Sequence, residues 1–249
     1  VTLSRNSLTL INRVFSTRQF WNGRAASLEQ QSTMPIEHPK EMSLPLSETV
    51  ARLKGDAAIT GEFESAFGQG PDVATLQRAL AAYLRSLVSG ASRVDAFEAG
   101  DPSVLTPSEQ RGRVLFRGKA RCTACHTGSN YSDEDFHNTG FHPGNADPGR
   151  FSVSNRERRV GAFKTPTLRD ISRTAPYLHD GSARSPERVV EIYDLGGLHT
   201  QNRDSRIRPL GLSAQERSDL VAYLRALDGT SLTGGPPPRA ATPTQKRRR

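Results

Sequence analysis

Cys122-Thr123-Ala124-Cys125-His126 is the stretch on which the reading of the chain turns. It has the C-x-x-C-H form by which a c-type haem is attached. The spacing has a chemical reason. Two thiols three residues apart can form thioethers to the two vinyl groups of one haem, and a histidine directly after the second is held under the iron as its proximal ligand. A Cys/His zinc site would need further ligands at finger-like spacing. Cys122 and Cys125 are the only cysteines, so no further thiol is left for such a site. A thioredoxin-like redox pair would want a βαβ context, and none is legible around the motif.

Working outward, Ser108-Glu109-Gln110 opens a helix through Val114, Leu115 and Phe116 that delivers the motif. Asn130 to Lys164 reads as a long loop region, common where a fold wraps a large cofactor. Ser185-Pro186-Glu187 starts a helix carrying Val189, Val190, Ile192 and Tyr193 and stopping at Gly196-Gly197. Ser213 caps a last helix with the stripe Leu220, Val221, Leu224 and Leu227. Upstream, Val73, Leu76, Ala79, Leu80, Tyr83, Leu84 and Leu87 recur at helical spacing between Asp72 and Gly90. Ser47 is expected to cap Glu48–Leu53, and Gln30 to Leu46 reads as loop, broken by three prolines. The class is all-α. The turn-rich Asp101-Pro102 to Thr106-Pro107 stretch marks the expected domain boundary, giving units at 1–100 and 101–230 and a disordered basic tail at 231–249.

The chain has 249 residues and a formal charge of +8. Arg239, Lys246, Arg247, Arg248 and Arg249 lie in the tail with no acid beside them, and without them the charge falls to +3. The basic pI therefore reports a tail more than a nucleic-acid face. No run of about 18 apolar residues exists, so no membrane span is expected. Covalent c-haem is normally attached outside the cytoplasm, which points to the periplasm. Val1 opens the chain with no charged n-region and apolar h-region, so a signal peptide is expected to be removed or to lie upstream.

The motif has company: Phe20-Trp21-Asn22-Gly23-Arg24-Ala25, Leu115-Phe116-Arg117-Gly118, Asp147-Pro148-Gly149-Arg150, Phe163-Lys164-Thr165-Pro166-Thr167-Leu168-Arg169 and Ala175-Pro176-Tyr177-Leu178-His179-Asp180-Gly181. In this order they resemble the bacterial di-haem cytochrome c peroxidase family, including its MauG-like members, from about Arg5 to Leu227. The resemblance implies cytochrome c-type haem domains, each with its own C-x-x-C-H. Only the second motif is present here, and the first residues are similar to the segment that follows the first motif and its distal histidine. The first domain is thus expected to be truncated at its N-terminus and the second complete.

Further roles are implied by the same resemblance. Glu41, ten residues after Gln31 with Pro35 between, matches the glutamate that serves as general acid–base on the peroxide side of the first haem; read alone it is a surface carboxylate. Trp21 matches the tryptophan between the haems that relays electrons, against a plain core aromatic. Asn6, with the carbonyls of Thr174 and Pro176, matches a calcium site between the haems, against a turn residue. The family's axial methionine falls at Tyr193, where MauG-like members use tyrosine; the alternatives are a packed aromatic with His199, another histidine or water on the iron. Met34 and Met42 lie far upstream. His179 is expected near the haem edge, and Arg150 and Arg169 to pair with propionates or to be solvated. His137 and His142 receive no role.

The implied function is reduction of hydrogen peroxide to water, with electrons from a small protein such as a cytochrome c or cupredoxin passing through the Cys122/Cys125 haem. The alternatives are MauG-like oxidation of a protein or organic donor, and a monohaem electron carrier. A homodimer fits the family. Replacing both Cys122 and Cys125 with alanine is expected to abolish haem staining on a denaturing gel; staining retained by the double variant would refute covalent attachment.

Overall fold

The computed structural model describes residues 3–143 and 146–233, and these are dominated by helices. The elements are α1 (Leu28–Glu37), α2 (Leu46–Lys54), α3 (Ala57–Phe67), α4 (Val73–Ser86), β1 (Val88–Gly90), α5 (Arg93–Glu98), α6 (Pro107–Arg117), β2 (Phe136–His137), α7 (Phe151–Ser154), β3 (Phe163–Lys164), α8 (Pro186–Asp194), α9 (Ala214–Arg225) and β4 (Ser231–Thr233). The strands form two antiparallel ribbons. Val88, Ser89 and Gly90 pair with Thr233, Leu232 and Ser231, and Phe136 and His137 pair with Lys164 and Phe163.

The main core lies where α6 crosses α9. Both helices start with reciprocal caps, Thr106 with Glu109 and Ser213 with Glu216. The crossing is close because Gly112 faces α9: a Cβ there would stand 2.0 Å from the Asp219 carbonyl oxygen and 2.7 Å from Tyr223 Cβ. Arg111 Nε donates to the buried Asp219 carboxylate at 2.7 Å, and Ser108 Oγ donates to it at 2.5 Å. Arg111 first of all, then those neighbours, hold the Asp219 carboxyl well below its ordinary range. Phe116, 1% exposed, packs on Tyr223 with ring centroids 5.2 Å apart. Burying such a ring is worth about 1.5–3 kcal/mol. α8 lies against α9 and brings Val190 and Ile192 into the interior.

The N-terminal half is built on α1 against α4. Asp72 and Thr75 cap each other at the start of α4, as the hydrophobic stripe predicts. The stretch expected to be loop is partly helical. Ser27 Oγ accepts from Gln30 N, and α1 runs through Pro35 to Glu37. Pro35 sits in the last turn, and its missing N–H gives up the bond to the Gln31 carbonyl without ending the helix. α2 begins one residue before the expected cap, with Pro45 at that position. Ser231–Thr233, read as the start of a tail, instead pair with β1; the remainder of that tail lies outside the described residues. Among the described residues no helix is long and apolar enough to cross a membrane.

Gly112→Ala is therefore expected to lose about 1–3 kcal/mol of stability through overpacking. Gly61→Ala, where nothing lies within 4 Å of the added atom, should gain about 0.5–1 kcal/mol. Denaturant unfolding of both variants tests this, and equal effects would contradict the close crossing.

Candidate haem site

After α6 the chain turns at Gly118 and enters a short 3-10 turn, Cys122–Ala124. His126 N donates to the Cys122 carbonyl at 2.9 Å, which folds the motif back on itself. His126 Nδ1 lies 2.8 Å from the Tyr131 carbonyl oxygen. A carbonyl can only accept, so Nδ1 carries the proton and the Nε2 lone pair is left for a metal. Burial lowers the imidazole pKa and keeps the ring in its neutral, ligating form.

The sulfurs of Cys122 and Cys125, free of any disulfide, and His126 line one cavity. Its walls are largely apolar, with Phe116, Leu168, Ile171, Val190, Leu220 and Leu224 among them. Burial pushes the Cys122 thiol up to about 12. Among the described residues the only set of His, Cys, Asp and Glu close enough for one ion is Cys125, Asp133 and His137, which omits Cys122 and His126. His142 is bound elsewhere, with Nε2 2.7 Å from Asp180. Among the described residues, Cys122 and Cys125 do not come together with further His, Cys, Asp or Glu as one zinc site. A porphyrin, which needs two thiols, one neutral imidazole and apolar faces, fits.

Tyr193 lines the same cavity from α8, edge-on to Phe141 with centroids 5.1 Å apart. Burial, more than the nearby sulfurs, pushes its phenol above the ordinary range, while Thr139 offers a hydrogen bond that opposes the shift. His199 does not line the cavity. His179 does. It stacks on Phe163 at 3.7 Å and 13°. Burial lowers its pKa to about 4, so the ring is neutral.

Trp21 reaches the cavity too, with Nε1 donating to the Asn6 carbonyl at 2.9 Å. Asn6 Nδ2 donates to the Pro176 carbonyl at 2.8 Å, and Asn6 N to the His179 carbonyl at 2.7 Å. The structure thus brings Asn6 to the turn holding Thr174 and Pro176, with Trp21 alongside.

Two expected partners of the haem are elsewhere. Arg150 does not line the cavity: its Nη1 donates to the carbonyls of Asn22 and Gly23 at 2.9 and 3.0 Å, and its guanidinium lies over Phe136. It fastens the tight turn at Gly23, where φ is +68° and a Cβ would strike Phe136 at 2.4 Å. Arg169 is buried, paired with Asp95 and donating to the Ser129 carbonyl. Neither the propionate role nor solvation describes either residue. The cations that do line the cavity are Arg121, Lys164, Arg206 and Arg208. Lys164 is buried on Glu134 at 2.7 Å, and burial lowers its pKa to about 8. The signal available in the sequence was position: Arg121 precedes the motif directly, and Lys164 lies in the quoted Phe163–Arg169 stretch. Glu41 and Gln31 lie away from this cavity. Gln31 is in α1, and Glu41 follows it in a loop, 3.7 Å from His38 Nδ1.

Comparison with known proteins agrees with this geometry. The family model described as di-haem cytochrome c peroxidase matches residues 1–103, and the cytochrome c model matches 109–228. The methylamine utilization protein MauG of Methylorubrum extorquens is 38% identical over 230 residues, covering 91% of this chain and 65% of that protein. The cytochrome-c peroxidase IdrP1 of Pseudomonas sp. (strain SCT) is 33% identical, with 90% of this chain and 68% of that protein covered. The chain thus spans about two thirds of these relatives' length. A crystal structure of a MauG-like protein associated with microbial copper homeostasis superposes with a TM-score of 0.84 at 30% identity, covering 94% of this chain and 78% of that one. An all-α fold, a C-x-x-C-H motif opening into an apolar cavity, and these relatives together establish that the chain belongs to the di-haem cytochrome c peroxidase family, and its match to cytochrome c implies covalently bound haem c.

Proposed function

We propose that this chain is the electron-transfer part of a periplasmic di-haem peroxidase, with 1–100 and 101–230 as its two units. The observation that carries the proposal is the convergence of Cys122, Cys125, His126 and Tyr193 on one apolar cavity that also takes Trp21. Cys122 and Cys125 would hold the haem through thioethers, and His126 Nε2 and Tyr193 Oη would ligate its iron. When bound, the haem supplies a one-electron carrier whose potential follows its axial ligands. The apolar walls exclude water and leave the axial pair to set that potential. Trp21, fixed by its bond to Asn6, is the relay toward a peroxide-reducing centre. Peroxide reduction consumes electrons and protons in equal number, and Glu41 is the carboxylate that moves the protons there, with Gln31 ten residues before it. Electrons come from a small donor protein.

Calcium is part of the same proposal. An asparagine side chain presents a donor and an acceptor at nearly the same place, so a half-turn of the Asn6 amide would set Oδ1 beside the Pro176 carbonyl. With the Thr174 carbonyl, that is an oxygen set suited to a hard cation.

A phenol rather than a thioether in the cavity favours the MauG-like variant, in which a protein or organic donor is oxidised. A phenolate opposite imidazole stabilises ferric iron. Tyr193→Phe is expected to open the sixth position to water or azide, and Tyr193→Met to raise the potential. Ferric optical and EPR spectra with a redox titration test this; spectra and potentials identical to wild type would reduce Tyr193 to packing. Glu41→Gln, in protein carrying both haems, should cut peroxide turnover by about 10²-fold and leave the Cys122/Cys125 haem spectrum unchanged. Full turnover in that variant would remove Glu41 from the mechanism.

A further inference from the structure

Among the described residues, His137 is the one buried histidine with a carboxylate at each ring nitrogen. It stands on β2, lines the haem cavity, and is 6% exposed. Nε2 lies 2.8 Å from Asp133 Oδ2, and Nδ1 lies 2.9 Å from Asp204 Oδ2. Carboxylates accept, so an imidazole that donates to both Asp133 and Asp204 is cationic. Arg206 stands against the same group, with Nη2 2.6 Å from Asp204 Oδ2 and 2.7 Å from His137 Nδ1. Arg206 Nη2 donates to the Asp204 carboxylate, which bridges both cations when the ring carries a proton on Nδ1.

This cluster grips the haem-attachment motif from outside. Asp133 N donates to the Cys125 carbonyl at 2.8 Å, and Arg206 Nη1 donates to the Ala124 carbonyl at 3.0 Å. The Cys125 sulfur lies within reach of Asp133 and His137. Two cations and two anions thus sit behind one thioether position with no net charge. The neighbouring Lys164–Glu134 pair is neutral too.

We propose that His137 is a positioning residue for electron transfer: its imidazolium, balanced by Asp133 and Asp204, sets the potential of the Cys122/Cys125 haem. Burial alone would lower the imidazole pKa, and Asp133 in particular overrides it and holds it above the ordinary value. A Cys125 thiolate would add to that effect, a contribution that thioether attachment removes. Reduction adds one negative charge to the haem, and a cation held in a poorly screened site beside it favours that state. Loss of the His137 charge leaves the cluster net negative and disfavours reduction. Loss of an Asp204 charge leaves it net positive and favours reduction.

The inference rests on haem c attachment and not on the peroxidase reading. It is tested in the holoprotein, with attachment verified in each variant by its ferrous pyridine haemochrome, so a failure to load haem is seen separately. His137→Gln is expected to shift the ferric/ferrous equilibrium of this haem about tenfold toward ferric, a fall of about 59 mV for a one-electron couple. Asp204→Asn should shift it the opposite way. Opposite signs support the charge cluster. Shifts of the same sign, as general loosening of the loop would give, or no shift in either variant, would overturn it.

Discussion

The close crossing of α6 and α9 at Gly112 is the constraint on which the rest depends. It puts the Asp219 backbone against α6 and Asp219's carboxylate on Arg111 and Ser108. Phe116 is thereby seated on Tyr223, and Leu220 and Leu224 become one wall of the cavity. The motif begins five residues after α6 ends, so its sulfurs enter over that wall. A side chain at Gly112 would separate the two helices and move the wall away from Cys122. Glycine is required here for close approach and not for an unusual φ.

Helix termini and the motif were legible because their signals are local. Asp72, Ser185 and Ser213 cap the helices they were expected to cap, and the C-x-x-C-H chemistry follows from adjacent residues. The opening of α6 was off by the ordinary margin, with Thr106 rather than Ser108 at its cap. α1 was missed because prolines were read as breakers, whereas Pro35 lies inside the helix. α3 was passed over although Asp56 caps it and Gly68, in the left-handed region, stops it. It buries no side chain, so tertiary packing gives its sequence little periodic stripe to show.

Long-range polar contacts were not legible. Arg150 grips carbonyls 127 and 128 residues away, and nothing near it in sequence announces that. Half of the His137 cluster was within reach, since Asp133 is four residues upstream, but Asp204 is 67 residues on. Tyr193 shows the opposite case. A nine-residue helix after the His179-Asp180-Gly181 corner carried enough register to bring Tyr193 to the cavity. The polar groups of the site are thus set by where loops return, and the apolar groups by helical period.

The central claim is that Cys122, Cys125 and His126 hold one covalent haem in the α6–α9 cavity. Pyridine haemochrome analysis of the purified chain, with protein quantified independently, tests it most directly. A thioether-type ferrous spectrum at one haem per chain, retained after acid–acetone extraction, is the predicted result. A haem that extracts into the solvent, or a chain that binds zinc stoichiometrically and no haem, would contradict it.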